Sequence, residues 1–346
     1  MTVTDRPADV SAVQPAADPP GEAAAPAPGR TRPRLWDWRL LLGTLVVAAL
    51  LAASLLVGQF DVLGDGGWEM FTITRIPRTI ALVLAGAAMA MSGLVMQLLT
   101  QNRFVEPTTT GTIEWAGLGL MAMLIVFPQA PMLARMGGAI VAAFIGTGIF
   151  FLFLRRVMLT SSLIVPIIGI MLGAVVGAVS SYIALANDAL QTLGIWFAGS
   201  FTPVIKGQYE PLWIVAAVAV AVFIAADRFT VAGLGQDVAT NVGLNYNRII
   251  LLGTGLVAVA TGVVTVVVGA LPFLGLIVPN VVSLVRGDDL RSNLPWVALL
   301  GIGIVTVCDL IGRTIIAPFE IPVSLILGVV GSIVFVTMLV RSRRRV

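Results

Sequence analysis

Long apolar runs separated by short polar intervals dominate the chain. Segments 40–58, 80–99 and 163–186 contain no Lys, Arg, Asp or Glu. A membrane-spanning helix needs about 20 mostly apolar residues, whereas a barrel strand has ~10 that alternate in polarity. These runs are too long and too uniform for strands. The pattern predicts ten spanning helices, at 40–58, 79–99, 114–128, 137–154, 163–186, 211–226, 248–268, 270–286, 295–311 and 323–340. The third is short and the eighth contains Pro272 and Pro279, so their ends are less sharply set. Segment 190–201 is amphipathic and is expected to rest at the membrane interface. The expected fold class is an all-α polytopic membrane protein.

Composition narrows the function classes. Of 346 residues, 58% are hydrophobic and 11% charged, with no His and one Cys. Soluble domains carry about 25% charged residues, so a soluble enzyme, a nucleic-acid binder and a secreted disulfide scaffold are excluded. Without His or a Cys cluster, no zinc or haem site of the usual kind is expected. The small net positive charge, +3, comes from Arg residues beside the apolar runs and reads as topology charge rather than a nucleic-acid footprint.

Residues 1–35 differ from the rest. The first 34 hold 7 of the 19 Pro and no long apolar run, which predicts a disordered cytoplasmic tail ahead of a transmembrane domain at 36–346. With the N-terminus in the cytoplasm, 16 of the 21 basic residues fall inside and 5 outside, as the positive-inside rule demands. An odd number of spans would place the basic C-terminus outside, so both termini are expected in the cytoplasm. Gly169, Gly173 and Gly177 form a small-residue stripe that predicts close helix packing. A weak internal echo relates the run after Arg78, ending Ala90-Met91-Ser92-Gly93, to the run after Arg248, ending Ala260-Thr261-Gly262. Five spans separate the two, the arrangement of an inverted repeat.

A transporter needs an energy source. Ion-coupled carriers place Asp, Glu or His at mid-membrane. Here the acids lie near span ends: Glu106, Glu114, Asp227 and Asp237 inside, and Asp61, Asp65, Glu69, Asp188, Glu210, Asp309 and Glu320 outside. A coupling-ion site is therefore disfavoured. A phosphate-binding loop requires G-x-x-x-x-G-K-[ST], and the sole Lys, Lys206, precedes Gly207-Gln208. ATP, if it drives this protein, is bound by another chain. That chain would need a handle on the cytoplasmic face. The longest polar interval, 228–247, contains Gly235–Gly243, which suits either a short surface helix or an ordinary loop.

The motifs in order carry a resemblance. Arg75-Ile76-Pro77-Arg78, the 86–97 run and Asn102-Arg103-Phe104-Val105-Glu106-Pro107 resemble the second-span signature of the permease family for iron-siderophore and cobalamin uptake, the FecCD-like importers energised by ATP-binding cassettes. Leu159-Thr160-Ser161-Ser162, Gly235–Gly243, the segment from Gly269 through Pro279, Asp309–Arg313 and Glu320–Val323 match in the same order. The resemblance runs from about residue 40 to the end of the chain. It implies ten spans with both termini inside.

The resemblance also implies partners and roles. Two permease subunits, identical or homologous, line one path; two cytoplasmic ATPase subunits dock beneath; an extracytoplasmic binding protein delivers the chelate. It assigns Arg75, Arg78 and Arg313 to binding-protein docking, against the alternative that they pair locally with Glu69, Asp309 or Glu320. Thr160, Ser161 and Ser162 match the cytoplasmic gate, against simple capping of the fifth span. Gly235, Asp237, Ala239 and Gly243 match the ATPase-coupling segment. Asn280 stands where the family commonly has His. The 102–112 segment is most similar to permeases for catecholate and mixed-type siderophores such as petrobactin and anguibactin. The expected function is the membrane subunit of a ferric-siderophore importer in a prokaryotic cytoplasmic membrane, with no catalytic residue, no cofactor and no metal site of its own. The alternatives are a cobalamin or haem importer of the same fold and a gradient-driven secondary carrier.

Overall fold

The computed structural model describes residues 38–58, 67–156, 164–287 and 289–343. Among them the regular structure is entirely helical. In chain order the helices are α1 (Trp38–Leu56), α2 (Gly67–Met70), a π-helical stretch Phe71–Arg75 that runs directly into α3 (Ile76–Leu99), α4 (Thr112–Val126), α5 (Met132–Arg156), α6 (Ile164–Ala186), α7 (Leu190–Phe197), α8 (Trp213–Ile224) after one 3₁₀ turn, α9 (Ala226–Gly233), α10 (Gln236–Asn241), α11 (Tyr246–Val267), α12 (Leu274–Arg286), α13 (Leu290–Thr314) and α14 (Val323–Arg343).

A helix lies at each of the ten expected apolar segments. Six are long and apolar enough to cross a membrane: α1, the continuous 67–99 helix, α5, α6, α11 and α13. The bent pair α8–α9 makes a seventh candidate, and α4, α12 and the 323–338 part of α14 are shorter apolar helices. The segment expected at 211–226 is α8 with its 3₁₀ lead-in, and the chain bends by 61° at Ala225, where that segment ends. The apolar run ends there, and Asp227 turns out to pair with Arg291 at 2.7 Å while Phe229 and Ala232 of α9 stay fully buried.

Burial ranks the helices. The most apolar windows of α3 and α11 are each 67% buried, against 11% for α1 and 28% for α6. The two central helices are the ones that carry the sequence echo. They can sit at the centre because their packing faces are made of small residues. A Cβ added to Gly93 would lie 2.0 Å from the Gly275 carbonyl oxygen, and one added to Gly301 would lie 2.6 Å from that of Gly86. Such close backbone approach lets dispersion hold helices together where lipid removes any hydrophobic preference between them. The α6 stripe behaves differently along its length. Gly169 and Gly173 pack against the 109–111 loop at the start of α4, whereas a Cβ at Gly177 would meet nothing within 4 Å. The expected close contact holds for the first two glycines, with a loop as the partner.

Candidate functional site

At one end of the bundle, the start of α3 meets the end of α13. Arg78 places Nη2 2.7 Å from Asp309 Oδ1 and 2.9 Å from Glu320 Oε2, with Nη1 3.1 Å from Glu320 Oε1. Arg313, one turn after Asp309, places Nη2 2.8 Å from its Oδ2. The same nitrogen donates to Ser54 Oγ at 2.6 Å, and Nη1 donates to the carbonyls of Ser54 and Val57 that end α1. Arg75 Nη1 donates to the carbonyls of Leu55 and Leu56. Thr202 from the α7–α8 connection donates to Glu320 Oε2. Asp309 is fully buried and is flanked by two guanidiniums, one on each carboxylate oxygen; a buried carboxylate left without such partners would be costly. Glu320, in the connection to α14, is opposed by burial. The Arg78 and Thr202 hydrogen bonds and the Arg78 charge overcome that, and hold its carboxyl below the usual value. All three candidate docking arginines thus lie at one end. Two of them are in ion pairs with their own chain, the local pairing that the sequence offered as the alternative.

The second cluster is interior. The sequence placed Glu106 in a polar loop at a span end, but only 1% of it is exposed. The 100–111 loop folds back into the protein, and Glu106 Oε1 accepts from the Phe273 amide at 2.8 Å, just ahead of α12. Thr108 donates to the same carboxylate oxygen. A carboxylate at a helix N-terminus satisfies orphan N–H groups and complements the helix dipole. Asn280 of α12 donates to the Arg103 carbonyl at 2.8 Å and to the Leu276 carbonyl at 2.7 Å. Gln97 of α3 donates to the Gly275 carbonyl at 3.2 Å. An amide at position 280 therefore clamps the loop without an ionisable group. From the same loop, Thr110, Thr112 and Thr147 form a buried hydroxyl chain, with successive oxygens 2.9 and 2.8 Å apart, that ties the start of α4 to α5.

At the far end of α3, the Gly235–Gly243 segment is a helix, α10, bounded by two glycines with φ of +110° and +81°. The Leu244 amide donates to the Ala239 carbonyl and the Gly243 amide to that of Thr240, both at 2.9 Å. This pair of bonds is a Schellman cap, and the left-handed residue within it is Gly243. Ala239 is fully buried and anchors α10, while Val238 and its C-cap Val242, one turn apart, are 42% and 61% exposed. Leu234, 64% exposed, ends α9 on the other side of the Gly235 break. A Cβ on Gly233 would touch Leu98, which lies 20 residues along α3 from Arg78. At ~1.5 Å per residue that is about 30 Å, the thickness of a bilayer's hydrocarbon core. The arginine cluster and α10 therefore sit one membrane thickness apart. Thr160, Ser161 and Ser162 lie outside the described residues. No group of His, Cys, Asp and Glu able to hold a metal occurs among the described residues.

A model of the FecCD transport family matches residues 38–341. The chain belongs to this family. It is 59% identical, over 90% of its length and 93% of the relative's, to the petrobactin import system permease protein FatD of Bacillus anthracis. It is 36% identical, over 81% of its length and 89% of the relative's, to the ferric-anguibactin transport system permease protein FatD of Vibrio anguillarum. The vitamin B12 import system permease protein BtuC of Escherichia coli is 32% identical, over 89% of this chain and 96% of the relative. The fold matches that of a solved transporter assigned to the metal-chelate ABC type in an inward-facing conformation, with TM-score 0.76 and 20% identity over 88% of this chain and all of that one. For a FecCD chain, Glu106 and Asp309 are the two positions that sequence reasoning undervalued. The shortness of the third run and the Pro272 and Pro279 of the eighth were the available signals for Glu106.

Proposed function

We propose that this chain is the membrane-spanning permease subunit of an ATP-binding-cassette importer for a ferric siderophore, multi-pass in a bacterial cytoplasmic membrane. The observation that carries the reading is the extent of the likeness to the petrobactin permease, well beyond that to the vitamin B12 permease. The chain performs no covalent chemistry. ATP hydrolysis in separate cytoplasmic subunits biases two arrangements of the helices, each opening the path to one side. A second permease subunit completes the path, and an extracytoplasmic binding protein supplies the chelate.

The exposed Val238 and Val242, one turn apart, support the reading of α10 as the element that enters a groove on the ATPase, with Gly235, Asp237, Ala239 and Gly243 shaping and anchoring it. An apolar ridge on a short capped helix suits helix-in-groove recognition. Both termini, with the Pro- and Ala-rich segment 1–35, belong on the α10 side, and Thr160, Ser161 and Ser162 are kept as the gate. Arg78 and Arg313 are neutralised by Asp309 and Glu320, so their part in docking is to frame the surface. They hold the α7–α8 and α13–α14 connections in place for the binding protein.

The deciding experiment is uptake of radiolabelled ferric petrobactin by cells that carry this chain, its ATPase and its binding protein, with ferric anguibactin and cyanocobalamin as competitors. Saturable petrobactin-dependent iron uptake, lost when the ATPase is inactivated, is the expected result. Transport of cyanocobalamin alone, or uptake that persists without the ATPase and stops when ion gradients collapse, would overturn it.

A further inference from the structure

Helices α5 and α11 pack tightly at one level and part at another. A Cβ added to Gly262 would lie 2.7 Å from the Ile140 side chain; one on Gly255 would first meet Phe144 at 3.8 Å; one on Gly148 would meet nothing within 4 Å. The separation opens a groove of about 420 Å³, lined chiefly by Phe144, Ile145, Leu152, Ile250 and Leu251. It runs from Phe144 to Leu152, about 12 Å at ~1.5 Å per residue, most of the depth of one leaflet in a ~30 Å core. Its wide end is also the charged end. Arg156 lies one turn beyond Leu152, and Arg248 lies in the first turn of α11, three residues before Leu251. Both arginines are exposed, and neither takes part in an ion pair among the described residues.

We infer that this groove is a binding site for an anionic diacyl phospholipid of the cytoplasmic leaflet, with an acyl chain against Gly148 and the headgroup phosphate between Arg156 and Arg248. The apolar wall alone would suit any lipid tail. Two cations at its open end select the anionic class, because basic residues beside helix clefts on the cytoplasmic side hold acidic headgroups. Arg also matches phosphate geometry through its planar fork. The site touches α11, one of the two central helices, and lies away from the Arg78 cluster. An occupied groove would therefore couple leaflet composition to the core of the permease.

The test is native mass spectrometry of the purified complex, titrated separately with phosphatidylglycerol and phosphatidylcholine. The wild-type complex should retain phosphatidylglycerol preferentially. Replacing both Arg156 and Arg248 by Gln should weaken that binding about 30-fold, from ~5-fold for each cation near an anionic headgroup, and abolish the preference. Gly148→Phe should block both lipids, and the open space around its Cβ lets the fold accept it. Equal retention of the two lipids by the wild type, or unchanged phosphatidylglycerol binding in Gly148→Phe, would overturn the assignment. So would disulfide crosslinking of two copies through Gly148→Cys, which would make the groove a protein interface; the native Cys308 is buried and does not compete.

Discussion

Asp309→Asn is the sharpest probe of the charged cluster. The change keeps the shape and removes one charge from a site with no exposure, leaving the guanidiniums of Arg78 and Arg313, 13% and 7% exposed, facing an amide. Removing one partner of a buried ion pair costs about 3–5 kcal/mol, because the other charge is left uncompensated. Here the remaining groups soften the loss. Arg78 keeps Glu320, and Arg313 keeps Ser54 and two carbonyls. The low end, about 3 kcal/mol, is therefore expected. At ~2 °C per kcal/mol for a chain of this size, the melting temperature should fall by roughly 6 °C. Thermal unfolding in detergent, followed by fluorescence of the 7 Trp residues, measures it. In the double variant, Arg78→Gln should cost much less in the Asp309→Asn background than alone, since the two groups interact directly. A fall of under ~1 °C, or strict additivity in the double variant, would refute the claim that Asp309 ties the two arginines together.

Three further outcomes follow from the geometry. Glu320 has a depressed folded value, so its contribution to stability is complete above the unfolded carboxyl value near ~4.3 and is lost as pH falls through the folded one; the gap in melting temperature between wild type and Glu320→Gln should be steady from neutral pH down to that value and close below it, and a constant gap in strong acid would contradict the pairing. Gly93→Ala puts a Cβ 2.0 Å from the Gly275 oxygen and should destabilise by about 1–3 kcal/mol through forced separation of α3 and α12, whereas Gly177→Ala fills open space and should stabilise by about 0.5–1 kcal/mol through helix propensity; equal melting temperatures for the two variants would count against the packing account. Val238→Asp with Val242→Asp should abolish co-purification of the ATPase while the permease still inserts and keeps its melting temperature, and retained association would move the contact away from α10.

Much of the fold was legible because hydrophobic run length and Arg placement are strong one-dimensional signals. Gly235 and Gly243 bound α10 at φ values where glycine is favoured, but the sequence left helix and loop equally open there, and the structure decides for the helix. The bend at Ala225 is marked by neither Pro nor Gly; the end of the apolar run just before Asp227 is the one sign of it in the sequence. Asp309 and Glu320 were named as candidate partners for the arginines, but with 231 residues between Arg78 and Asp309 the sequence had no means of choosing pairing over docking. Glu106 was misplaced for a related reason. A polar stretch between two apolar runs ordinarily lies at the membrane surface, and only the packing against α12 draws this one inward.

The loop that carries Glu106 bears on how the protein is made. Helices α4 and α12 have 15 and 13 residues, reaching about 22 and 20 Å at ~1.5 Å per residue, short of the ~30 Å hydrocarbon core. Each is short for a span and relies on its flanking loop to complete the crossing. The Glu106 carboxylate and the amide it caps are separated by 167 residues, so the contact can form only after Phe273 has been made. Biogenesis of the permease is thereby committed to its second half: a chain truncated after α6 would lack both the Phe273 amide that Glu106 accepts from and the Asn280 side chain that holds the Arg103 carbonyl, so the 100–111 loop can reach its buried position only once the second half is in place.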